Sequence, residues 1–302
     1  MDDFSKPLVS VIVATFRRGE PLKKALDSLV SQTYENIEII IIDDNGNEEW
    51  NKKVEVITSS ILSITNFKIL CIRNQVNYGS AETRNIGIRT ASGKYITFLD
   101  DDDVYLPSKI EKQVAHMIAT QSDFCITNLN LYDEAGELIE RRNRDYIIDT
   151  SPEQLIKYHL MYHMTGTDTM MFKKDYLMNI GGFPPINLGD EFYLMLRSIE
   201  NGGKFSYLND CEIMAYVHSK ADSLSNGESK IKCENDLFEY KKSFFVSLAS
   251  SEVRYIKMRH YAVLAFAEKR RKNILAFIKY AFISFISSPI NCVNEYRRLK
   301  AK

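Results

Sequence analysis

Apolar and polar positions follow two alternating patterns in the N-terminal part of the chain. Short apolar runs, typical of buried strands, lie at residues 8–15, 37–42, 67–72, 94–99 and 123–133. Apolar side chains recur at helical spacing in the intervening residues 21–30, 80–91 and 107–120. Strands that alternate with helices predict an α/β fold whose sheet is mostly parallel and flanked by helices.

Polar residues follow three of the predicted strands, at 15–17, 43–45 and 100–103. In a parallel sheet the carboxyl ends of the strands share one edge, and ligands bind outside that edge. The segment after the first strand, "ATFRRGEP", has a single glycine where a dinucleotide-binding domain has GxGxxG. We therefore disfavour a nicotinamide or flavin site and predict a nucleotide site that uses carboxylates.

The run Asp100 to Asp103 places four carboxylates side by side after an apolar segment. Adjacent carboxylates repel one another by roughly 1 kcal/mol per close pair even in water, so a positive group is expected beside them. One interpretation is a solvated turn in which Asp103 or Ser108 caps the helix that Pro107 opens. The alternative, favoured at a phosphate-binding edge, is a divalent cation, Mn²⁺ or Mg²⁺.

Composition and charge narrow the protein class. The 302 residues, 45% of them hydrophobic, suffice for one large domain or for one domain with an extension. Five scattered cysteines without a CxxC pair predict neither a zinc knuckle nor a disulfide framework. The acidic start has no signal-peptide pattern, so a reducing cytoplasm is the expected location. No nucleic-acid partner is expected.

The basic residues are concentrated at the C-terminal end. Residues 252–302 hold twelve Lys or Arg against three Glu, whereas residues 1–251 hold 27 basic and 37 acidic side chains. Within 269–302, basic ends enclose the apolar run 274–286, which is shorter than the ~20 residues of a spanning helix. The pattern predicts an interfacial helix on an anionic membrane. A helix packed on the domain, or at a homodimer contact, is the alternative.

Two long stretches resemble a known family. "VSVIVATFRRGEPLKKALDSLVSQTYENIEIIIIDDNGNEE" and "NYGSAETRNIGIRTASGKYITFLDDDDVYLP" closely resemble the family 2 glycosyltransferases of the GT-A fold, and the resemblance runs from about Leu8 to about Ser225. It implies transfer of a sugar, with inversion, from a nucleotide diphosphate donor that is usually uridine-linked. It also implies a GT-A domain over 1–225 and a helical extension over 226–302.

The resemblance implies roles for the polar residues at the sheet edge. Ala14, Thr15 and Phe16 correspond to the segment that meets the uracil, Asp44 to the acid that reads its edge, and Arg84 to an arginine near the base and diphosphate. Asp102 corresponds to the metal ligand, while Asp100 and Asp101 correspond to acids that reach the ribose or a metal-bound water. Arg17 stands where the family often has Asn.

Three of these positions have structural alternatives. Phe16 could instead be a core residue, Asp43 could cap the turn after its strand, and Arg84 could be a helix-surface residue.

A second group of candidates lies downstream. An inverting transferase needs a base that takes the proton of the acceptor hydroxyl, and an acidic pair at a helix start suits this role. The pair here is Asp190 and Glu191: the preceding glycine favours Asp190, whereas the spacing to Leu196-Arg197 favours Glu191. An acid that merely stabilises the helix dipole is the alternative.

Further residues have weaker signals. By resemblance, His218 approaches the diphosphate or the metal, and Thr167 and Asp168 touch donor or acceptor. His159 and His163 are four residues apart, but no Glu follows His159, so the metalloprotease pattern is absent.

These observations predict a metal-dependent glycosyltransferase at the inner face of the cell membrane, acting on a glycan or lipid-linked acceptor in surface-polysaccharide synthesis. Two other functions remain open. A metal-dependent nucleotidyltransferase also uses carboxylates on an α/β sheet, and a non-catalytic subunit could bind a nucleotide sugar without turning it over.

Overall fold

The computed structural model describes residues 6–186, 189–217 and 228–300. The strands are β1 (Val9–Thr15), β2 (Ile37–Asp43), β3 (Lys68–Arg73), β4 (Tyr95–Phe98), β5 (Val104–Tyr105), β6 (Phe124–Thr127), β7 (Leu129–Tyr132), β8 (Leu138–Arg142), β9 (Met170–Lys173), β10 (Phe205–Leu208) and β11 (Ile213–Tyr216). The helices are α1 (Glu20–Val30), α2 (Glu48–Leu62), α3 (Ser80–Thr90), α4 (Lys109–Thr120), α5 (Pro152–Tyr162), α6 (Lys174–Asn179), α7 (Asp190–Glu200), α8 (Glu228–Lys242), α9 (Ser250–Arg270), α10 (Ile274–Ser287) and α11 (Pro289–Lys300).

A seven-stranded sheet in the order β10-β6-β9-β4-β1-β2-β3 forms the core of the N-terminal part. Strands β3, β2, β1 and β4 run parallel, as do β6 and β10, while β9 is antiparallel to both of its neighbours. All seven residues of β2 are buried, as expected for an apolar strand that helices cover on both faces. The prediction of an α/β fold with a mostly parallel sheet is confirmed.

The predicted strand 123–133 is two strands. Its first half, β6, pairs with β9 and β10 in the large sheet, whereas β7 pairs with β8 and β11 in a second, four-stranded sheet. The break is at Asn128, which is buried and whose Oδ1 accepts the Arg144 amide at 3.0 Å. Both halves are apolar, so local periodicity could not reveal that their hydrogen-bonding partners differ.

Helix α2 was not predicted. Its sequence is largely polar, and its buried apolar residues are limited to Val54 and Ile61. The helix begins after Asn47, whose side chain accepts the Trp50 amide at 3.2 Å, an N-terminal cap.

The chain forms two compact units. One contains the residues up to 152 and 164–217, with both sheets, and the other contains 153–163 and the C-terminal helices. Helix α5, which lies early in the chain, is therefore grouped with the C-terminal helices. The division into domains 1–225 and 226–302 stays a prediction.

The C-terminal helices include the predicted helix over the apolar run. Helix α10 packs on α9 through a face that includes Ser284, whose hydroxyl donates to the Met258 carbonyl at 2.8 Å. No single helix in the described part of the chain is long and apolar enough to cross a membrane. Helix α10 and the helical residues 289–297 together have that length and composition, but the two segments are bent by 113° relative to each other at the break between them.

Candidate active site

The polar residues predicted to share one edge of the sheet lie together. Because β1 is the central neighbour of β2 and β4, the segments after these three strands meet at its carboxyl end. The Phe16 amide donates to Asp101 Oδ2 at 3.1 Å, and the Asp44 amide donates to the Thr15 carbonyl at 3.0 Å. Ala14 belongs to β1 itself and pairs with Ile42 of β2.

The segment after β1 has a strained backbone and an exposed ring. Arg17 has a φ of 54°, in the left-handed region that Asn tolerates better than Arg, which gives a physical reason for the family's preference at this position. The Arg17 amide donates to Asn45 Oδ1 at 2.7 Å, and its guanidinium lies 4.9 Å from the centre of the Phe16 ring. Phe16 is 40% exposed, so the core alternative for this residue is wrong.

Asp44 and Asp43 both organise loops. The Asp44 carboxylate accepts Asn74 Nδ2 at 2.8 Å and the amides of Tyr78 and Gly79 at 2.9 and 3.0 Å, which holds the loop before α3. Asp43 accepts the amide and side chain of Asn45, as the turn-capping interpretation expected. Asp44 is 3% exposed, and the prediction that it reads a uracil edge stays a prediction.

Arg84 joins the two groups of candidate residues. Its guanidinium contacts Asp100 Oδ1 at 2.7 Å and Asp190 Oδ2 at 3.0 Å. Arg84 is buried, so the helix-surface alternative is wrong. The acidic run after β4 and the start of α7 therefore face the same guanidinium, although 90 residues separate Asp100 from Asp190 in the chain.

Asp190 and Glu191 have different surroundings. Asp190 is 4% exposed and accepts Arg84 and the Glu191 amide, whereas Glu191 is only partly buried. Burial, opposed by the charge of Arg84 and reinforced by that of Glu191, raises the pKa of Asp190 to about 7. Both carboxyls lie in the first turn of α7: that of Asp190 accepts from Arg84, and that of Glu191 is the more accessible of the two.

Two members of the acidic run face Arg18. Arg18 Nη2 lies 2.6 Å from Asp102 Oδ2, and its Nε lies 3.5 Å from Asp101 Oδ1. Asp101 is buried, and burial together with the charge of Asp102 raises its pKa to about 7. Asp101 therefore contacts the segment after β1, and the prediction that it reaches the ribose stays a prediction.

Asp168 completes a second acidic group that the sequence indicated only weakly. It lies in a single 3₁₀ turn, Thr167–Thr169, just before β9, and one carboxylate oxygen each of Asp100, Asp103 and Asp168 lie within 4.8 Å of one another. Asp168 Oδ1 accepts the Asp100 amide at 2.7 Å, and Asp103 Oδ1 accepts the Tyr216 amide at 2.8 Å. Burial, reinforced by the charge of Asp100, raises the pKa of Asp168 to about 7.

Neither predicted cap is present at the helix after the acidic run. Asp103 is buried against Tyr216, and the Ser108 side chain makes no capping hydrogen bond. The solvated-turn interpretation of the run is therefore wrong. An all-oxygen set of carboxylates is the chemistry that hard divalent cations prefer, so the residues present fit Mn²⁺ or Mg²⁺.

Sequence reasoning missed a buried lysine on the helix that follows these acids. Lys109 is 1% exposed, and its Nζ donates to Thr97 Oγ1 at 2.7 Å and to the Tyr105 hydroxyl at 2.8 Å. Burial, opposed by the charge of Asp168, lowers the pKa of Lys109 to about 7. The sequence signal that could have revealed its burial is its position in α4: Lys109 lies four residues before Gln113, on the face that is buried.

The histidine candidates gain no support as metal ligands. His218 lies outside the described residues. The ring centres of His159 and His163 are 5.9 Å apart. Within the described ranges, however, the three side chains whose metal-ligand atoms converge are Asp100, Asp103 and Asp168.

Comparison with known proteins finds a matching family and similar sequences. Residues 10–178 match the family model described as glycosyl transferase family 2. The chain is 30% identical over 226 residues to the uncharacterized glycosyltransferase MJ1057 of Methanocaldococcus jannaschii. This match covers 74% of this chain and 75% of that protein. It is also 30% identical over 231 residues to WfaP of Escherichia coli, a UDP-Glc:alpha-D-GlcNAc-diphosphoundecaprenol beta-1,3-glucosyltransferase, covering 76% of this chain and 85% of that one.

Solved structures of Staphylococcus aureus TarS have a similar fold. The match to TarS 1–349 in complex with UDP-GlcNAc has a TM-score of 0.56 and 14% identity, and it covers 91% of this chain and 90% of that one. Against the longer TarS chain the TM-score is 0.55 at 16% identity, with 91% and 54% covered. The predicted GT-A fold is thereby confirmed.

Proposed function

The chain belongs to glycosyl transferase family 2, and we propose that this glycosyltransferase is an inverting, metal-dependent enzyme that moves a sugar from a UDP-sugar to a hydroxyl of a lipid-linked glycan. The contact of Arg84 with both Asp100 and Asp190 carries the proposal, since it joins the acids of the donor edge to the acidic pair of α7. The relative WfaP, by its name, uses UDP-Glc and a diphosphoundecaprenol-linked acceptor.

The nucleotide would meet the segments after β1 and β2. The exposed Phe16 ring can stack on a base, as aromatic side chains do when one face is open. Asp44 has three donors on its two oxygens, and a carboxylate offers about four lone-pair sites, so one remains for the uracil N–H. Arg84 supplies positive charge near the diphosphate.

Asp102 would hold the cation, with Asp100 close by. Their side chains are 16% and 35% exposed, whereas Asp103 and Asp168 are buried and already accept backbone amides. This difference favours the outer acids as ligands and the inner pair as support for the loop. A bound Mn²⁺ or Mg²⁺ supplies charge neutralisation for the departing nucleoside diphosphate.

Glu191 is the base in this proposal, and Asp190 positions Arg84. A base must reach the acceptor hydroxyl within hydrogen-bond distance, which favours the less buried carboxylate of the pair. Asp190 instead keeps Arg84 oriented toward Asp100, because its Oδ2 already accepts from that guanidinium.

The C-terminal helices suggest where the acceptor is met. Large apolar side chains exposed on α10 are Ile274, Leu275, Ile278, Phe282, Phe285 and Ile286. These positions cover about 120° of the helix surface, opposite the face that carries Ser284. The basic run 269–272 precedes them, so an anionic lipid surface complements both the apolar arc and its charge. We place the enzyme peripherally at the cytoplasmic face of the membrane.

A panel of nucleotide sugars incubated with Mn²⁺ and lipid-diphosphate acceptors tests the function. We expect release of UDP and a glycosylated lipid from one UDP-sugar, and little release in chelator. Pyrophosphate release would indicate a nucleotidyltransferase instead. Nucleotide-sugar binding without any turnover across the panel would indicate a non-catalytic subunit.

A further inference from the structure

Arg18 lies in the loop between β1 and α1 and spans two acids of the run after β4. Its Nη2 is 2.6 Å from Asp102 Oδ2, and its Nε is 3.5 Å from Asp101 Oδ1. The Arg18 side chain is 35% exposed and that of Asp102 is 16% exposed, so the pair lies near solvent. Arg18 therefore neutralises the residue that the proposed function makes a metal ligand.

We propose that Arg18 is an exchangeable counter-ion of Asp102, which holds this carboxylate in the ligand-free enzyme and leaves it when a divalent cation binds. The inference rests on the proposed function, because it takes Asp102 as a cation ligand. A guanidinium 2.6 Å from Asp102 Oδ2 occupies a lone pair that a cation ligand would use, and two positive groups on one carboxylate repel each other.

The other arginine of the site is held more firmly. Arg84 is 9% exposed and bridges Asp100 and Asp190, so its release would leave buried charges without partners. The Arg18 pair is closer to the solvent-exposed ion pairs, whose net contribution is small. Exchange at Asp102 therefore costs less free energy than exchange at Asp100.

Release of Arg18 has a consequence for nucleotide binding. A diphosphate that binds near Asp102 attracts the guanidinium, and the attraction frees the carboxylate for the cation. The two ligands then favour each other's binding, and the coupling between them is reciprocal. Arg18 is a positioning residue in this scheme, since it acts through Asp102.

The test measures Mn²⁺ affinity without nucleotide, from the signal of free Mn²⁺ in electron paramagnetic resonance. Compared with wild type, Arg18→Gln should bind Mn²⁺ alone about two- to fivefold more tightly, the range of a partly exposed ion pair. At saturating Mn²⁺, the same variant should bind UDP more weakly by a similar factor. Arg18→Lys, which keeps the charge, should lie closer to wild type in both measurements.

Arg89→Gln is the matched control, because Arg89 pairs with Glu82 on the exposed surface of α3, outside the acidic edge. It should leave both affinities unchanged, and circular dichroism should report the same fold for all variants. Unchanged or weaker Mn²⁺ binding by Arg18→Gln would overturn the counter-ion role. Wild-type protein that binds no Mn²⁺, with or without UDP, would overturn the proposed metal site and this inference together.

Discussion

Two adjacent acids at the start of α7 differ more in their surroundings than in their chemistry. Asp190 accepts from the buried Arg84, and Glu191 follows it on the first turn at a less buried position. Spacing along the chain leaves the base ambiguous between them. Their contacts predict different consequences for their amide variants.

Glu191→Gln should lower kcat by about 10²–10⁴-fold while UDP affinity stays near wild type, because the amide keeps the shape but cannot accept a proton. Asp190→Asn should act mainly on UDP affinity, since it weakens the hold on Arg84. Steady-state kinetics and calorimetric titration with UDP separate the two effects. A large kcat loss in Asp190→Asn combined with a mild Glu191→Gln would reverse the assignment.

Strand β2 contains a buried carboxylate at the opposite end from the candidate site. Glu38 is fully buried, and it accepts Ser10 Oγ at 2.6 Å, the Ser92 amide at 2.6 Å and Lys68 Nζ at 2.8 Å. Burial alone raises the pKa of Glu38, but these hydrogen bonds outweigh it and lower the pKa from 4.5 to about 2. The carboxylate thus ties β1, β2 and β3 to the segment before β4.

The lowered pKa predicts how this contribution to stability varies with pH. The folded chain binds the Glu38 proton less readily than the unfolded chain, so the contribution is present above pH 4.5 and is lost as the pH falls toward 2. Glu38→Gln should therefore cost on the order of 2 kcal/mol of unfolding free energy near pH 7 and less near pH 3.

Urea unfolding of wild type and variant at several pH values measures this difference. Glu55→Gln is the control, because Glu55 of α2 forms an exposed pair with Arg73 and should show no such trend. A difference between Glu38→Gln and wild type that does not change with pH would contradict the ionised state of Glu38.

Helix α10 has one face on α9 and one face in solvent. Deletion of the whole helix would uncover Met258, which is 1% exposed, so a truncated chain confounds membrane binding with folding. Substitutions on the outer face avoid this problem. Leu275 and Phe282 are 83% and 63% exposed there, so a charge at either position is largely solvated in the folded protein.

Wild-type protein should sediment with phosphatidylglycerol vesicles and much less with phosphatidylcholine vesicles. The double variant Leu275→Glu/Phe282→Glu should bind at least about tenfold more weakly, since a buried Leu or Phe side chain contributes roughly 1.5–3 kcal/mol. Val246→Glu is the control, because Val246 is 95% exposed but lies outside α10. Equal sedimentation of wild type and both variants would argue against membrane binding through this face of α10. A dimer in solution that the double variant abolishes would instead favour a contact between two copies of the chain.

The whole molecule combines an acidic body with a basic C-terminal end. Residues 1–251 hold 27 basic and 37 acidic side chains, so a free UDP anion approaches a like-charged domain. A divalent cation at the acidic run reduces the local negative charge. The binding of nucleotide should therefore depend strongly on the cation.

UDP should bind at least about tenfold more weakly in chelator than in excess Mn²⁺, a difference of about 1.4 kcal/mol or more. Asp102→Ala should bind UDP weakly under both conditions, with a melting temperature close to that of wild type. Isothermal titration with and without chelator gives both values. Equal UDP affinity in chelator and in Mn²⁺ would exclude a metal role in donor binding.

The sequence by itself determined the features that depend on local periodicity and side-chain chemistry. Alternating apolar runs and helical spacing were enough to predict the α/β fold, because each strand or helix reports its own burial. The rule that parallel strands share a carboxyl edge was enough to group Thr15, Asp44 and Asp100 at one end of the sheet. The apolar run of α10 likewise predicted its helix.

Tertiary structure decided which partner each polar group meets. Arg18 contacts Asp102 across 84 residues of chain, and Arg84 contacts Asp190 across 106, so no local pattern could indicate either pair. The division of one apolar stretch into β6 and β7 depends on neighbours from distant parts of the chain. Ion pairs and strand pairs of this kind form between groups that are close in space and far apart in sequence, and only the folded chain defines that proximity.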